Sequence, residues 1–434
     1  MLSHAHELST RKIKQIHMKL SAPKNIKTPI KISIALPSSK SESNRVLLID
    51  ALYRRQNNIQ QEQQNSNTLD LHNLSTARDT ITMQMLLASN DLEINVLDAG
   101  TVMRFMAAFC TVTQRKTILT GTERMCERPI RVLVEALQNL GGDISYMNNE
   151  GFPPLEILSF SQKTKQINIR GDVSSQYISA LLMVAPLLAQ GLELSLVGEV
   201  HSKPYIEMTL DLMQHFGIQA VWKENMIHIA KQNYQFATYY VESDWSAASY
   251  WYSIVALSDD AEILLEGLKE NSLQGDNAII ELGKYFGVAS HFTDEGVMLT
   301  KTVAMAIPNN IINFSHCPDL AQTIAVLAAA QGKELYMKGL QSLRIKETDR
   351  ITALKDELVK FGIDTFVQNE TDLYIPPQKI CASKETITTY KDHRMAMAFA
   401  PLALLFDVMI DEPEVVAKSY QHFWEDMAKI LVIT

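Results

Sequence analysis

One short pattern returns six times along this chain: a few small, polar or charged residues able to close a turn, followed at once by an apolar helical run. The copies read PSSKSESNRVLLIDAL from Pro37, DAGTVMRFMAAF from Asp98, GDVSSQYISALLMVAPLL from Gly171, SDWSAASYWYSIVAL from Ser243, PDLAQTIAVLAAA from Pro318 and DHRMAMAFAPLALL from Asp392. Their starts lie about 60 to 75 residues apart, and self-similarity at a fixed period is the signature of a tandem structural repeat. A second helix follows each copy and tends to end in a glycine turn, as in RPIRVLVEALQNLGGD, KPYIEMTLDLMQHFGI, DNAIIELGKYFGV and ETDRITALKDELVKFGI. Shorter relatives near Ala77 and Lys418 complete a set of six. Between the helices sit short β-type stretches such as INIRG, LELSLVG, AEILLEG, KELYMKG and DLYIP. Gly, Pro, Asn or Asp bound them. Each unit reads as strand, helix, strand, helix, then strands.

A chain of 434 residues with 46% hydrophobic content is ample for two packed domains. The longest uncharged apolar run, Met395 to Phe406, is too short for a membrane span and is interrupted by Pro401. The N-terminal stretch has no continuous apolar core of the kind a secretory signal needs, so a frayed extension and a cytoplasmic address are expected. Cys110, Cys126, Cys317 and Cys381 are far apart, without CxxC spacing, and read as free thiols. His4 and His6 form an HxH pair without further ligands, and no metal is assigned to it. A net charge of −9 argues against a nucleic-acid surface.

Basic residues matter where they concentrate, and they concentrate at helix starts: Lys40, Arg45, Arg104, Arg124, Arg128, Arg344, Lys346, Arg350, Arg394 and Lys418. A helix N-terminus already presents unpaired N–H groups and a positive dipole end. A cation placed there costs stability unless an anion joins it. Singly, each such residue is most simply a solvated surface charge. Repeated across six units, the arrangement points to one shared anion site.

The strings that carry these residues resemble the 5-enolpyruvylshikimate-3-phosphate synthase family of enolpyruvyl transferases from about Ile30 onward. They are PSSKSESNR, DAGTVMR, LTGTERMCERPI, SSQYISALLM, SKPYIEMTL, CPDLAQTIA, RIKETDR, YKDHRMAM and the PxxxxKS element ending at Lys418, in the family's order. The resemblance implies an α/β, two-domain enolpyruvyl transferase fold with six βαβαββ repeats, three per domain, inside-out and barrel-like. It also implies a discontinuous domain of residues 1–37 plus 243–434 around an inserted domain of 38–242, with the active site in the cleft between them. Cations on both walls repel each other, which predicts a cleft that closes on its anionic substrates.

By the same resemblance the chain transfers the enolpyruvyl group of phosphoenolpyruvate to the 5-hydroxyl of shikimate 3-phosphate and releases phosphate, as a monomer and without cofactor or metal. Ser41, Arg45, Ser174, Ser175, Gln176, Ser202, Tyr205 and Lys346 match residues that hold shikimate 3-phosphate. Lys40, Gly100, Arg124, Gln176, Arg350, Arg394 and Lys418 match those that bind phosphoenolpyruvate. Arginine forks suit its carboxylate and phosphate, and a side chain at Gly100 would intrude where the backbone nears the substrate. Asp319 matches the base for the hydroxyl, and Glu347 the proton donor to the methylene, with Lys346 and Lys40 stabilising charge. From sequence alone Asp319 could equally be a helix N-cap, Glu347 a first-turn carboxylate and His393 a core histidine.

Several positions depart from the family pattern. The first unit is cut short between Ser89 and Asp98, and a Gln/Asn-rich stretch from Asn57 reads as a solvated loop, so the inserted domain should have a thinner edge there. Asp98 stands where the family usually has asparagine and places a negative charge beside the phosphoenolpyruvate site. Ser38 replaces a glycine, Ser342 an asparagine, and Phe105 a proline or leucine. Two rival readings share the fold. A UDP-N-acetylglucosamine enolpyruvyl transferase would carry a cysteine on a loop near the pair matched by Arg128 and Pro129, but here Cys126 lies inside the RMxERP string of the shikimate enzyme. A catalytically silent phosphosugar-binding relative would not need an acid and a base.

Overall fold

The computed structural model describes residues 17–23, 29–58 and 68–434. His4, His6, most of the N-terminal extension and most of the Gln/Asn-rich stretch lie outside the described residues.

Five of the six units build the same sheet. In one, strand Glu93–Asn95 runs parallel to Thr117–Thr120, which is antiparallel to Leu155–Phe160, itself antiparallel to Gly142–Tyr146. The spatial order is therefore first, second, fourth, third, with helices Gly100–Val112 and Arg131–Leu140 joining the first three strands. The order recurs in the sheets that open with Gln166–Arg170, Ile30–Ala35, Ile311–Asn313 and Thr386–Ile387. In the last of these the fourth position is filled from far away. Strand His17–Ser21 lies antiparallel between Val408–Asp411 and Val432–Ile433.

The sixth sheet has two strands, Asp70–His72 parallel to Thr238–Tyr240. It belongs to the unit of helices Lys40–Gln56 and Arg78–Ala88, which has no third and fourth strand among the described residues. This is the shortened unit expected from the sequence. Without a hairpin to cover it, the outer side of Arg78–Ala88 leaves Ile81 and Met85 exposed.

Sheets lie outside and helices inside. The six signature helices, Lys40–Gln56, Gly100–Val112, Ser175–Val184, Trp245–Leu257, Ala321–Ala330 and His393–Phe399, are buried along most of their length. Helices apolar on nearly every side must be enclosed, and the sheets enclose them with alternating faces, as where Ile167 and Ile169 point inward from Gln166–Arg170. Each Leu or Ile so enclosed contributes about 1.5–3 kcal/mol. Second helices stop at left-handed glycines, such as Gly141 (φ 117°) and Gly362 (φ 80°). The apolar run from Met395 breaks at Phe399, where a 3-10 turn containing Pro401 begins. Among the described residues no helix is long and apolar enough to cross a membrane.

Two hydrophobic cores result. One draws on residues from Val46 to Val241, the other on Leu20 to Leu36 together with Trp245 to Leu431. The chain passes between them at two adjacent places, where Ser38 and Ser243 form an antiparallel bridge. Ser39 N–H donates to the Glu242 carbonyl at 2.8 Å, and Asp244 N–H to the Pro37 carbonyl at 2.8 Å. Beside these crossings Glu42 and Glu242 are buried together. Gln274 Nε2 donates to Glu42 Oε1 (3.0 Å) and Glu242 Oε2 (3.2 Å), and the Tyr239 hydroxyl donates to Glu42 Oε2 at 2.8 Å. Burial and the charge of Glu242 push the Glu42 carboxyl up to about 7.

Candidate active site

The starts of the six signature helices lie at or next to the candidate residues: Lys40, Gly100, Ser175 and His393 open theirs, Ser246 and Arg394 are second in theirs, and Asp319 lies in the 3-10 turn just before Ala321–Ala330. Gathering their positive ends makes the region favourable for anions before any side chain is counted. Gln176 Nε2 ties two helix starts together by donating to Thr101 Oγ1 at 2.9 Å. Arg394 ties three, with Nη2 at 3.0 Å from Asp319 Oδ2 and 3.2 Å from Ser246 Oγ.

On the side of the second core, Arg350 is the hub. Its buried guanidinium donates through Nε to Asp392 Oδ2 (2.7 Å), through Nη1 to Asp319 Oδ1 (3.0 Å) and through Nη2 to Glu347 Oε2 (3.1 Å). Lys346 Nζ lies 3.5 Å from Asp319 Oδ1, and Lys418 Nζ 3.1 Å from Glu347 Oε1. Burial alone would raise the Asp319 carboxyl, but Arg394, Lys346 and Arg350 outweigh it and hold the group far below the usual carboxylate range. Glu347 behaves alike, its burial overcome by Lys418 and Arg350.

Asp319 is no helix cap. It sits in the 3-10 turn Pro318–Leu320 and spends both oxygens on cations. Glu347 likewise turns away from the helix that follows it, whose cap is Asp349. His393 is buried with neither ring nitrogen hydrogen-bonded; burial and then the charge of Lys40 press its pKa well below the ordinary value, so the ring is neutral.

The first core presents a different arrangement. Lys40 Nζ pairs with Asp79 Oδ2 at 3.1 Å. Arg45 is consumed inside the core, where Nε donates to Thr209 Oγ1 (2.7 Å), Nη2 to Ser179 Oγ (3.1 Å) and Nη1 to the Ser41 carbonyl (2.8 Å). Burial lowers it to about 10, and a ligand carboxylate would have to replace one of those bonds. Ser174 caps its helix by accepting from Gln176 N–H at 3.4 Å, and Ser175 is buried behind it. Ser202 holds a left-handed backbone (φ 52°).

Arg124 and Arg128 divide in an unexpected way. Arg124 is half-exposed and donates to Glu127 (2.9 Å) and to the Glu347 carbonyl (3.2 Å). Arg128 is buried, and no carboxylate among the described residues pairs with it; its Nε has no partner. Burial and the like charge of Arg104 both disfavour its cation. Its guanidinium lies against Gly100, where an added Cβ would come within 2.8 Å of Nη2 and within 2.9 Å of Arg104 Nη1. Gly100 therefore makes room first for two guanidinium groups. Arg128, not Arg124, is thus the buried cation of the pair, and the motif strings alone do not single it out. The available signal was the (i, i+4) arginine pair in ERMCERP, which places only one of the two inward.

The two sides touch at several places. Besides the Arg124–Glu347 bond, Lys418 Nζ reaches Asp98 Oδ2 (2.9 Å), the Tyr205 hydroxyl donates to Asp276 Oδ1 (3.1 Å), and Ser202 N–H donates to the Ser315 carbonyl (2.8 Å). Asp98, Asp319 and Glu347 sit among the cations of the two sides. Asp276, which also accepts from Ser246 Oγ, is raised to about 6 by burial and then by Asp319. Cys126 Sγ lies 3.8 Å from the Gly121 carbonyl, part-buried beside its own loop.

Residues 24–427 match the EPSP synthase (3-phosphoshikimate 1-carboxyvinyltransferase) family. The chain is 45% identical over 413 residues to the 3-phosphoshikimate 1-carboxyvinyltransferase of Bacteroides fragilis (strain YCH46), covering 94% of this chain and 97% of that one. It is 35% identical over 416 residues to the protein of that name from Sulfurovum sp. (strain NBC37-1), covering 92% and 96%. Its fold matches a solved EPSP synthase from Acinetobacter baumannii with a TM-score of 0.75 at 18% identity, over 96% of this chain and 100% of the other.

Proposed function

The chain belongs to the EPSP synthase family and transfers the enolpyruvyl group of phosphoenolpyruvate to the 5-hydroxyl of shikimate 3-phosphate, and we propose that it does so with Asp319 and Glu347 as the proton-transfer pair. The observation that carries this assignment is that both carboxylates are gripped by one guanidinium, Arg350, at the meeting point of the helix starts.

The chemistry follows from competition for cations. Phosphoenolpyruvate engages Arg128, Lys418, Arg350 and Arg394, with Lys40 between it and shikimate 3-phosphate. Its oxygens draw Lys418 and Arg350 away from Glu347, whose proton affinity rises, so that it takes up a proton from solvent as the substrate binds and donates it to the methylene carbon. Asp319 regains basicity as Arg394 turns to the substrate, and it takes the proton of the attacking hydroxyl. Lys346 and Lys40 stabilise charge in the adduct, and the roles reverse when phosphate leaves. Ser41, Ser174, Ser175, Gln176, Ser202 and Tyr205 hold shikimate 3-phosphate, with Arg45 bracing Ser41 from behind.

The two cores correspond to domains of residues 1–37 plus 243–434 and 38–242, with the substrates bound between them and the paired crossings as the hinge. By the same reading the enzyme works as a cytoplasmic monomer. Inorganic phosphate released from phosphoenolpyruvate is the test. Release that requires shikimate 3-phosphate and is lost in Asp319→Asn and Glu347→Gln supports the reading. Release independent of shikimate 3-phosphate overturns it.

A further inference from the structure

Asp98 places a carboxylate beside Lys418, and the structure surrounds it unequally. Its Oδ2 lies 2.9 Å from Lys418 Nζ, and its backbone carbonyl accepts from the same Nζ at 3.0 Å. Any substrate oxygen that approaches Lys418 must therefore share it with a carboxylate. On the far side, Arg78 Nη2 donates to both oxygens of Asp98, at 2.9 and 3.0 Å. Arg78 is the first residue of helix Arg78–Ala88, the second helix of the shortened unit, and that helix packs against the turn Pro413–Lys418 that carries Lys418. Its next residue, Asp79, is the partner of Lys40. One helix start thus serves a cation to the acidic group beside Lys418 and an anion to Lys40.

We propose that Arg78 is a positioning residue for phosphoenolpyruvate: by holding Asp98 in a two-oxygen ion pair it offsets the carboxylate that would otherwise compete with the substrate for Lys418. This rests on the enolpyruvyl-transfer reading above. Arg78 touches no reacting atom and acts through Asp98 alone. The shortened unit is then a working part of the site, because its surviving second helix supplies the counter-charge.

The experiment is steady-state phosphate release by the full chain as wild type, Arg78→Ala, Asp98→Asn and the double variant, with each substrate varied in turn. Activity of the wild type is established first, so failure of the enolpyruvyl-transfer reading shows there and is not confused with failure of this one. Arg78→Ala raises KM for phosphoenolpyruvate about five-fold, with kcat and KM for shikimate 3-phosphate little changed. Asp98→Asn lowers KM for phosphoenolpyruvate, and when Asp98→Asn is already present Arg78→Ala loses its effect. Arg78→Gln, which keeps the helix start polar, gives the same pattern should the alanine variant unfold. An Arg78 penalty that persists undiminished beside Asp98→Asn, or one that falls equally on kcat and both KM values, overturns the proposal.

Discussion

The two sides of the site hold their cations by different means. On the second core Arg350, Arg394, Lys346 and Lys418 are each matched to Asp319, Glu347 or Asp392, so the cluster is nearly neutral and rigid in itself. On the first core Arg128 is buried beside Arg104 against a glycine, with no carboxylate bonded to it. A substrate anion must displace protein carboxylates on one side and meets an unpaired cation on the other. On the proposed mechanism the first arrangement couples binding to proton affinity, and the second serves affinity alone. Stability is given up where the cation stands alone, since a buried charge without a partner is costly.

The difference can be probed from the largest effect downward. Asp319→Asn and Glu347→Gln should each lower kcat by about 10²–10⁴-fold in the phosphate-release assay; a drop confined to KM would break the division. Next comes stability. Arg350→Met leaves Asp392 buried without its partner and should cost about 3–5 kcal/mol in urea unfolding, whereas Arg128→Met should leave the unfolding midpoint unchanged or raise it. Third, Arg128→Met should raise KM for phosphoenolpyruvate about 10–150-fold, the loss of charged hydrogen bonds. Arg124→Met, an exposed position, should change it by no more than about five-fold. The reverse ranking would return the role to Arg124.

A separate effect lies away from the site, at the paired crossings. The Glu42 carboxyl rises from an ordinary 4.5 to about 7 in the folded chain. The folded state therefore keeps a proton that the unfolded state has lost. This contribution is present in full below pH 4.5 and disappears as pH climbs through 7, a loss of up to about 3 kcal/mol. Thermal unfolding between pH 5 and 8 should show that decline in the wild type and a flatter profile in Glu42→Gln.

Much of this was legible in the chain because its repeats carry two independent periodicities, the helical stripe and the glycine that stops each second helix. The thin first unit could be foreseen from the short interval between Ser89 and Asp98. What could not be read locally was completion of the sheet that opens with Thr386–Ile387, since nothing near Val432 indicates that its neighbour is His17–Ser21. Among site residues, Asp319, Glu347, Arg350, Arg394 and Lys418 do converge: Asp319, Arg350 and Arg394 sit at or beside a helix start, Glu347 lies just before one, and Lys418 ends the 3-10 turn Pro413–Lys418. Arg45 differs: it lies one turn inside its helix, where Thr209 and Ser179 take its donors. Choosing between Arg124 and Arg128 needed the four-residue helix Glu123–Cys126, whose end turns the first outward and the second inward.

The strand His17–Ser21 also orders events in time. It leaves the ribosome long before Val408–Asp411 and Val432–Ile433, the strands it will lie between. The stretch between the crossings is made in one continuous run and has all its partners as soon as Val241 emerges. The surrounding core has to hold its opening strands in waiting while that insert is translated and folds, so its assembly is the late, slow step of biosynthesis.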